Sequence, residues 1–294
     1  MPKKTALILS GGGAKGAFQA GAEKYAREVK GYHWDIIAGV SVGALNAAML
    51  AMEKYDRLYQ IWTTITSSQV YTGGFNLLSL IKILFGAKSF YGNGPLRKLL
   101  KEEFEPEKIT ADLRVGSVSL LTGEYVQFNR NSPHLERAIL ASTVMPVIWT
   151  PVNVSKRYRS MVDGGVRNIS PVGDVLDLDP EELIIINCDA EAAHPLARPP
   201  QNILQIGTRT LDILLNELFS GDMNEFVRIN ALVNEAAAAG LTLHSPNSGK
   251  PLKYYDYKII EPDFPLGDVL DFSPATLQRS LQAGWDKAKQ VLGP

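Results

Sequence analysis

The stretch Asp35-Ile36-Ile37-Ala38-Gly39-Val40-Ser41-Val42-Gly43-Ala44-Leu45-Asn46-Ala47-Ala48-Met49-Leu50 decides how the chain is read. Its first four residues are an apolar strand candidate and its last seven a good helix former, joined by one G-x-S-x-G pentapeptide. A strand that enters a helix through one residue makes a sharp, strained turn, and glycines two before and two after relieve the crowding. The Ser41 hydroxyl is then held up at the strand end, where the helix N-terminus points positive partial charge at it. That spacing can turn a serine into a nucleophile. Alone it decides little: in a chain with 25 Gly among 294 residues, it arises by accident about once in eight such chains.

Outward from this turn the rhythm is strand–helix–strand–helix. Ala6-Leu7-Ile8-Leu9 is a short apolar strand, Gly11-Gly12-Gly13 a loop, and Ala14 to Val29 a helix that Gly31 is placed to stop. Asp35 to Ala38 is the second strand, followed through Ser41 by a helix to about Tyr55. Such alternation predicts an α/β fold, three layers with helices on both faces of a mainly parallel central sheet. Residues 67–95 break the rhythm: Phe75 to Phe85 is an apolar run between glycine-rich hinges, read as a core or cap helix. Beyond Pro95, Leu113–Leu121 and Tyr125–Asn129 predict a hairpin across Thr122-Gly123-Glu124, and Leu135–Ser142 a short helix. Val147–Val154 and Tyr158–Val162 suggest a second hairpin, and Leu183–Asn187 a buried strand. Helical spacing predicts two helices, Ile203–Leu218 and Glu225–Ala239; a late strand Tyr254–Ile260 and a closing helix Pro274–Leu292 follow. Ala193–Pro200 is the best loop candidate, and residues 1–294 read as a single domain.

Bulk properties exclude several classes. The chain is 45% hydrophobic and 21% charged with a formal net charge of −1, so no global field favours nucleic acid. The basic runs Lys3-Lys4 and Lys156-Arg157-Tyr158-Arg159 are short and read as a solvated terminus and a turn. The single cysteine, Cys188, follows an apolar run and reads as buried; no intrachain disulfide and no metal-spaced cysteine pair can form. No signal-peptide core and no apolar run of membrane-spanning length is visible. The expectation is a cytoplasmic protein without metal or cofactor, signal-independent secretion being invisible at this level.

Two further motifs carry chemistry. Ser10 is followed by Gly11-Gly12-Gly13-Ala14-Lys15-Gly16, between strand and helix. Glycines there turn backbone N–H groups outward, and adjacent N–H groups beside a helix N-terminus make an oxyanion hole or a phosphate cradle. Lys15 adds positive charge. The same stretch satisfies G-x-G-x-x-G, so a dinucleotide-binding protein is a competing reading. That reading needs an acid at the end of the second strand; here the strand ends in Ala38-Gly39-Val40-Ser41. A P-loop fails, because Ala17 and Phe18 follow Gly16. The third motif, Asp163-Gly164-Gly165, places an aspartate at a strand end; Ser41 and Asp163 are expected at the C-terminal ends of parallel strands, where the aspartate can take the serine's proton.

G-G-G-A-K-G, G-V-S-V-G and D-G-G, in this order, with Ala141-Ser142-Thr143-Val144-Met145-Pro146, resemble the patatin-like phospholipase family over roughly residues 5–190. Residues 191–294 carry no matching motif and read as the C-terminal part of the same domain. The resemblance implies a patatin-like fold and a serine lipid acyl hydrolase, of phospholipase, lysophospholipase or carboxylesterase type, working through an acyl-enzyme. It implies a Ser–Asp dyad without histidine: Ser41 as nucleophile, Asp163 as general base, and Gly11, Gly12 and Gly13 as the oxyanion hole. Val40 and Val144 stand where the family often has Thr and Ala. The partner implied is a lipid or acyl-ester substrate, met through transient contact with a membrane surface; oligomeric state is open. Phe75, Leu78 and Ile81 are candidate acyl-chain contacts and Lys15 a candidate head-group contact. The alternative is an acyltransferase using the same covalent serine. A Ser–Asp–His triad would need His194 or His244, both in surface-like sequence; His33 and His134 receive no role.

Overall fold

The computed structural model describes residues 3–73, 89, 91–146, 148–189, 195, 198–201, 203–246 and 248–294. The strands are β1 (Thr5–Leu9), β2 (Ile36–Gly39), β3 (Thr72–Gly73), β4 (Tyr91–Gly92), β5 (Asp112–Ser119), β6 (Tyr125–Asn129), β7 (Met161–Asp163), β8 (Glu182–Ile186) and β9 (Asp256–Ile260). The helices are α1 (Gly16–Glu28), α2 (Val42–Ala51), α3 (Tyr55–Thr64), α4 (Ser67–Val70), α5 (Gly94–Glu103), α6 (Leu135–Ser142), α7 (Ile203–Ala238) and α8 (Pro274–Leu292).

The main sheet runs β6-β5-β2-β1-β8-β9, with β7 also on β5; β5, β2, β1, β8 and β9 are parallel. The central strands carry continuous apolar runs, Ala6–Leu9, Ile36–Ala38 and Leu183–Ile186, because both faces are covered. Alternation sorts their side chains into two cores. Leu7, Leu9, Ile37, Ile184 and Ile186 join one core with Phe18 of α1, Ala47 of α2 and Leu281 of α8. Ala6, Ile8, Ile36, Ala38, Leu183 and Ile185 join the other with Phe219 and Met223 of α7. This is the three-layer, mainly parallel α/β architecture that the alternation predicts. The helix after Leu135 and the closing helix have the expected bounds.

The structure differs from the sequence reading in four places. The helix after Ser41 ends at Ala51, not near Tyr55. Glu53 takes a left-handed φ of 55°, with Glu53 N–H on the Leu50 carbonyl and Lys54 N–H on that of Met49, a Schellman ending. The two helices expected over 203–239 are one, α7. Phe219 and Met223, one turn apart, are both buried against the sheet, so the apolar stripe runs unbroken through the segment between them. The second hairpin shrinks to a Val152–Met161 bridge, because β7 pairs with β5 instead; Val147 lies outside the described residues. Finally, Asp163 ends an antiparallel strand, not a parallel one. Phe75 to Phe85, with Phe75, Leu78 and Ile81, also lies outside the described residues. No described helix is long and apolar enough to cross a membrane.

Candidate functional site

The sheet register explains how Ser41 and Asp163 meet. Parallel β2 and β5 align Gly39 with Val115, so two residues further on Ser41 is level with Ser117. Antiparallel β7 aligns Ser117 with Asp163. At this level β6 occupies the other edge of β5. Strands β2 and β7 therefore share one edge of β5 and meet end to end, 122 residues apart in sequence.

Ser41 has φ 58° and ψ −129°, a conformation that costs a non-glycine residue on the order of 1–3 kcal/mol. The flanking glycines make the turn passable. A Cβ on Gly39 would lie 2.1 Å from the Gly43 carbonyl oxygen, and one on Gly43 2.3 Å from that of Leu9. Ser41 N–H donates to Ser142 Oγ at 2.9 Å, and Asp163 N–H donates to the Val144 carbonyl at 2.9 Å. The C-terminal end of α6 and the residues just after it thus hold the backbone of both residues.

The Ser41 side chain stands beside the Asp163 carboxylate and favours its ionised form, as does Gly165 N–H, which donates to Asp163 Oδ1 at 2.8 Å. Burial pushes Asp163 up from 3.8 to about 6, against the lowering effect of those two neighbours. An unpaired carboxylate in an apolar site prefers the proton, so Asp163 can take one near neutral pH. The histidines His33, His134 and His244 are exposed and do not line the cavity at Ser41; His194 lies outside the described residues. No group of three or more His, Cys, Asp or Glu that could hold a metal occurs among the described residues.

The glycine loop sits beside Ser41 but is not uniform. Gly11 N–H donates to the Ile169 carbonyl at 3.0 Å, which corrects the expectation that all three glycines offer donors. The N–H groups of Gly12 and Gly13 have no acceptor among the described residues. The loop is braced from behind: Gln19 Nε2 donates to the Ser10 carbonyl, and Cys188 N–H donates to Ser10 Oγ. Cys188 is buried, its thiol pushed up to about 12 by burial, and is inert. Lys15 does line the cavity, but its Nζ lies 2.6 Å from Asp189 Oδ1, so its charge is already matched.

A cavity of about 780 Å³ opens beside Ser41 and Asp163. Met49 of α2, Leu58 and Trp62 of α3, Leu96 and Leu100 of α5, and Phe272 before α8 line it. Sequence reasoning placed the apolar surface on residues 75–85 and missed this wall. The signal was present in α3 and α5 as apolar residues at i, i+3 and i+4, yet nothing local says that three such faces enclose a space rather than a solid core.

A sequence model of patatin-like phospholipases matches residues 7–176. The cGAMP-activated phospholipase of Escherichia coli (strain TW11681) is 27% identical over 234 residues, 70% of this chain and 62% of that protein. The neuropathy target esterase sws of Drosophila melanogaster is 27% identical over 192 residues, 63% of this chain and 13% of that protein. The chain therefore spans less than two thirds of either relative. Among solved structures, VipD from Legionella pneumophila superposes with a TM-score of 0.49 at 14% identity, covering 99% of this chain and 67% of its own. The type III effector protein ExoU gives 0.41 at 13%, covering 99% and 53%. The matched span holds the glycine loop, the Ser41 turn and Asp163, and by that match the chain belongs to the patatin-like phospholipase family.

Proposed function

We propose that this protein hydrolyses lipid acyl esters through a covalent Ser41 intermediate, with Asp163 as its general base. The observation that carries the reading is the juxtaposition of a strained Ser41 and a buried Asp163, with no cation beside it among the described residues, at the head of an apolar cavity. Asp163 takes the Ser41 proton as Oγ attacks the ester carbonyl. The free N–H groups of Gly12 and Gly13 hold the developing oxyanion, a contribution of typically 10²–10³ in rate for one such donor. The protonated Asp163 then gives its proton to the leaving alcohol, and water attacks the acyl-enzyme with the same carboxylate as base. A phospholipid or lysophospholipid fits the family and the apolar cavity. The G-x-G-x-x-G loop faces this cavity, and β2 ends in Gly39 and leads into Ser41 rather than into a ribose-binding acid, which counts against dinucleotide binding.

The test is labelling of the protein by a fluorophosphonate, together with turnover of a phospholipid and lysophospholipid panel, in wild type, Ser41→Ala and Asp163→Asn. Labelling and turnover are expected in wild type and lost in Ser41→Ala, with Asp163→Asn slowed by orders of magnitude. Ester turnover that persists in Ser41→Ala overturns the reading. An added alcohol acceptor distinguishes hydrolysis from acyl transfer.

A further inference from the structure

The cavity has a direction. Its α2 wall includes Val42, Leu45 and Met49 and, at the helix C-cap, Met52, spaced by three, four and three residues, so one face of α2 is presented to the space along its whole length. The second wall is Leu58, Ile61 and Trp62 of α3, and the third is Leu96, Leu99 and Leu100 of α5. Three helices each contribute an i, i+3 or i, i+4 apolar pair to the same space. Polar side chains in these walls are spoken for: Asn46 Nδ2 donates to the Gly16 carbonyl and to Gln19 Oε1, and Asn46 Oδ1 accepts from Trp62 Nε1. The walls offer an occupant only dispersion and burial.

One end of this sleeve is Ser41, at the N-terminus of α2. The other lies at Met52, where the C-termini of α2 and α5 meet the N-terminus of α3. Charges close it there. Glu103 borders the cavity and accepts from Arg57 Nε at 2.8 Å, while Lys54 Nζ donates to the Glu103 carbonyl and pairs with Glu105. Glu105 N–H donates to Met52 Sδ at 3.2 Å. An alkyl chain advancing past Met52 would have to break this network.

We infer that the sleeve along α2 is a ruler for the acyl chain, taking chains of about thirteen carbons and stopping longer ones at the Lys54–Glu103–Arg57 plug; this rests on Ser41 being the acyl-accepting group. The length comes from the helix. Met52 is eleven residues beyond Ser41, about 16 Å at 1.5 Å per residue, and an extended chain covers that with about thirteen carbons at about 1.25 Å each. Met49 and Leu45 mark about 12 Å and about 6 Å on the same scale, or about ten and five carbons. Burying a methylene changes affinity about fourfold, so the ruler is read in rates.

The experiment is a homologous series of p-nitrophenyl esters from four to sixteen carbons. In wild type, kcat/KM is expected to rise up to about fourfold per methylene and to level near thirteen carbons. Met49→Trp is expected to move the break to about ten carbons and Leu45→Trp to about five, with the twelve-to-four-carbon ratio falling at least tenfold. Ratios between chain lengths cancel any loss of folded protein. A wild-type profile that is flat from four to twelve carbons, or a break that stays in place in both variants, overturns the ruler. If no ester is turned over, the catalytic reading has failed, and the sleeve is judged separately by calorimetric titration of Ser41→Ala with butanol, octanol and dodecanol. Affinity that climbs with length supports the ruler; equal affinity overturns it.

Discussion

Replacing Asp163 by asparagine should stabilise the protein while removing its activity. Asp163 is 5% exposed and has no cation beside it among the described residues; burial lifts it from its ordinary 3.8 to about 6. At 1.36 kcal/mol per pKa unit, holding this carboxylate ionised costs the folded state about 3 kcal/mol. The sign follows from proton counting. Between about pH 4 and pH 6 the folded protein keeps a proton that the unfolded chain has lost, so stability falls as pH rises through that window and is flat above it. Asparagine does not titrate. Its amide oxygen can still accept from Gly165 N–H, but its NH₂ needs a new acceptor in a buried site, a cost of about 1 kcal/mol. Asp163→Asn should therefore exceed wild type by about 2 kcal/mol at pH 8, or about 3 °C in Tm for a chain of this size. At pH 4 the order should reverse slightly. The assay is thermal unfolding of both proteins from pH 4 to pH 8, compared as a difference so that Glu23 and Asp174, also raised by burial, cancel. A difference that does not change between pH 4 and pH 8 would refute the claim that Asp163 is an ionised, unpaired carboxylate in the folded state.

The remaining predictions concern the same few residues. Below about pH 6, kcat/KM should fall about tenfold per pH unit, since protonated Asp163 cannot act as a base; a pH–rate profile without an acid limb between pH 5 and 7 contradicts the assignment. Ser142→Ala leaves Ser41 N–H unpaired in a buried site, which costs about 1–3 kcal/mol. Because that bond supports a strained φ, kcat should drop at least about tenfold with KM little changed, and Ser142→Thr should recover part of it. Gly43→Ala should fail to give folded protein, because its methyl would lie 2.3 Å from the Leu9 carbonyl oxygen; a soluble variant with wild-type Tm would mean that this backbone is free to shift. Gly13→Pro removes one free N–H and should cost about 10² or more in kcat, measured on a short ester.

The Ser41 turn was readable from sequence because its causes are local. A strand ending, two glycines that admit a close backbone approach and a helix beginning all fall within ten residues, and the close approaches at Gly39 and Gly43 are those the spacing requires. The parallel sheet was readable for the same reason: runs such as Leu183 to Ile186 are apolar on both faces and fit only a covered strand. The direction of β7 was not. An aspartate after a short apolar run looks the same whichever way the strand runs, and the choice is made by β5, whose free edge above Gly39 accepts β7 antiparallel. Gly11 shows the same limit at a single atom. Its N–H was a plausible oxyanion donor until Ile169, 158 residues away, supplied a carbonyl. The cavity wall depended on three helix faces leaving space between them, and space has no sequence motif. Chemistry confined to one turn can thus be read from the residues, whereas the identity of what the turn acts on is set by distances between segments. Under the ruler proposed for this chain, the spacing from Ser41 to the charged plug at Glu103, rather than any further motif, is the feature from which substrate preference would follow.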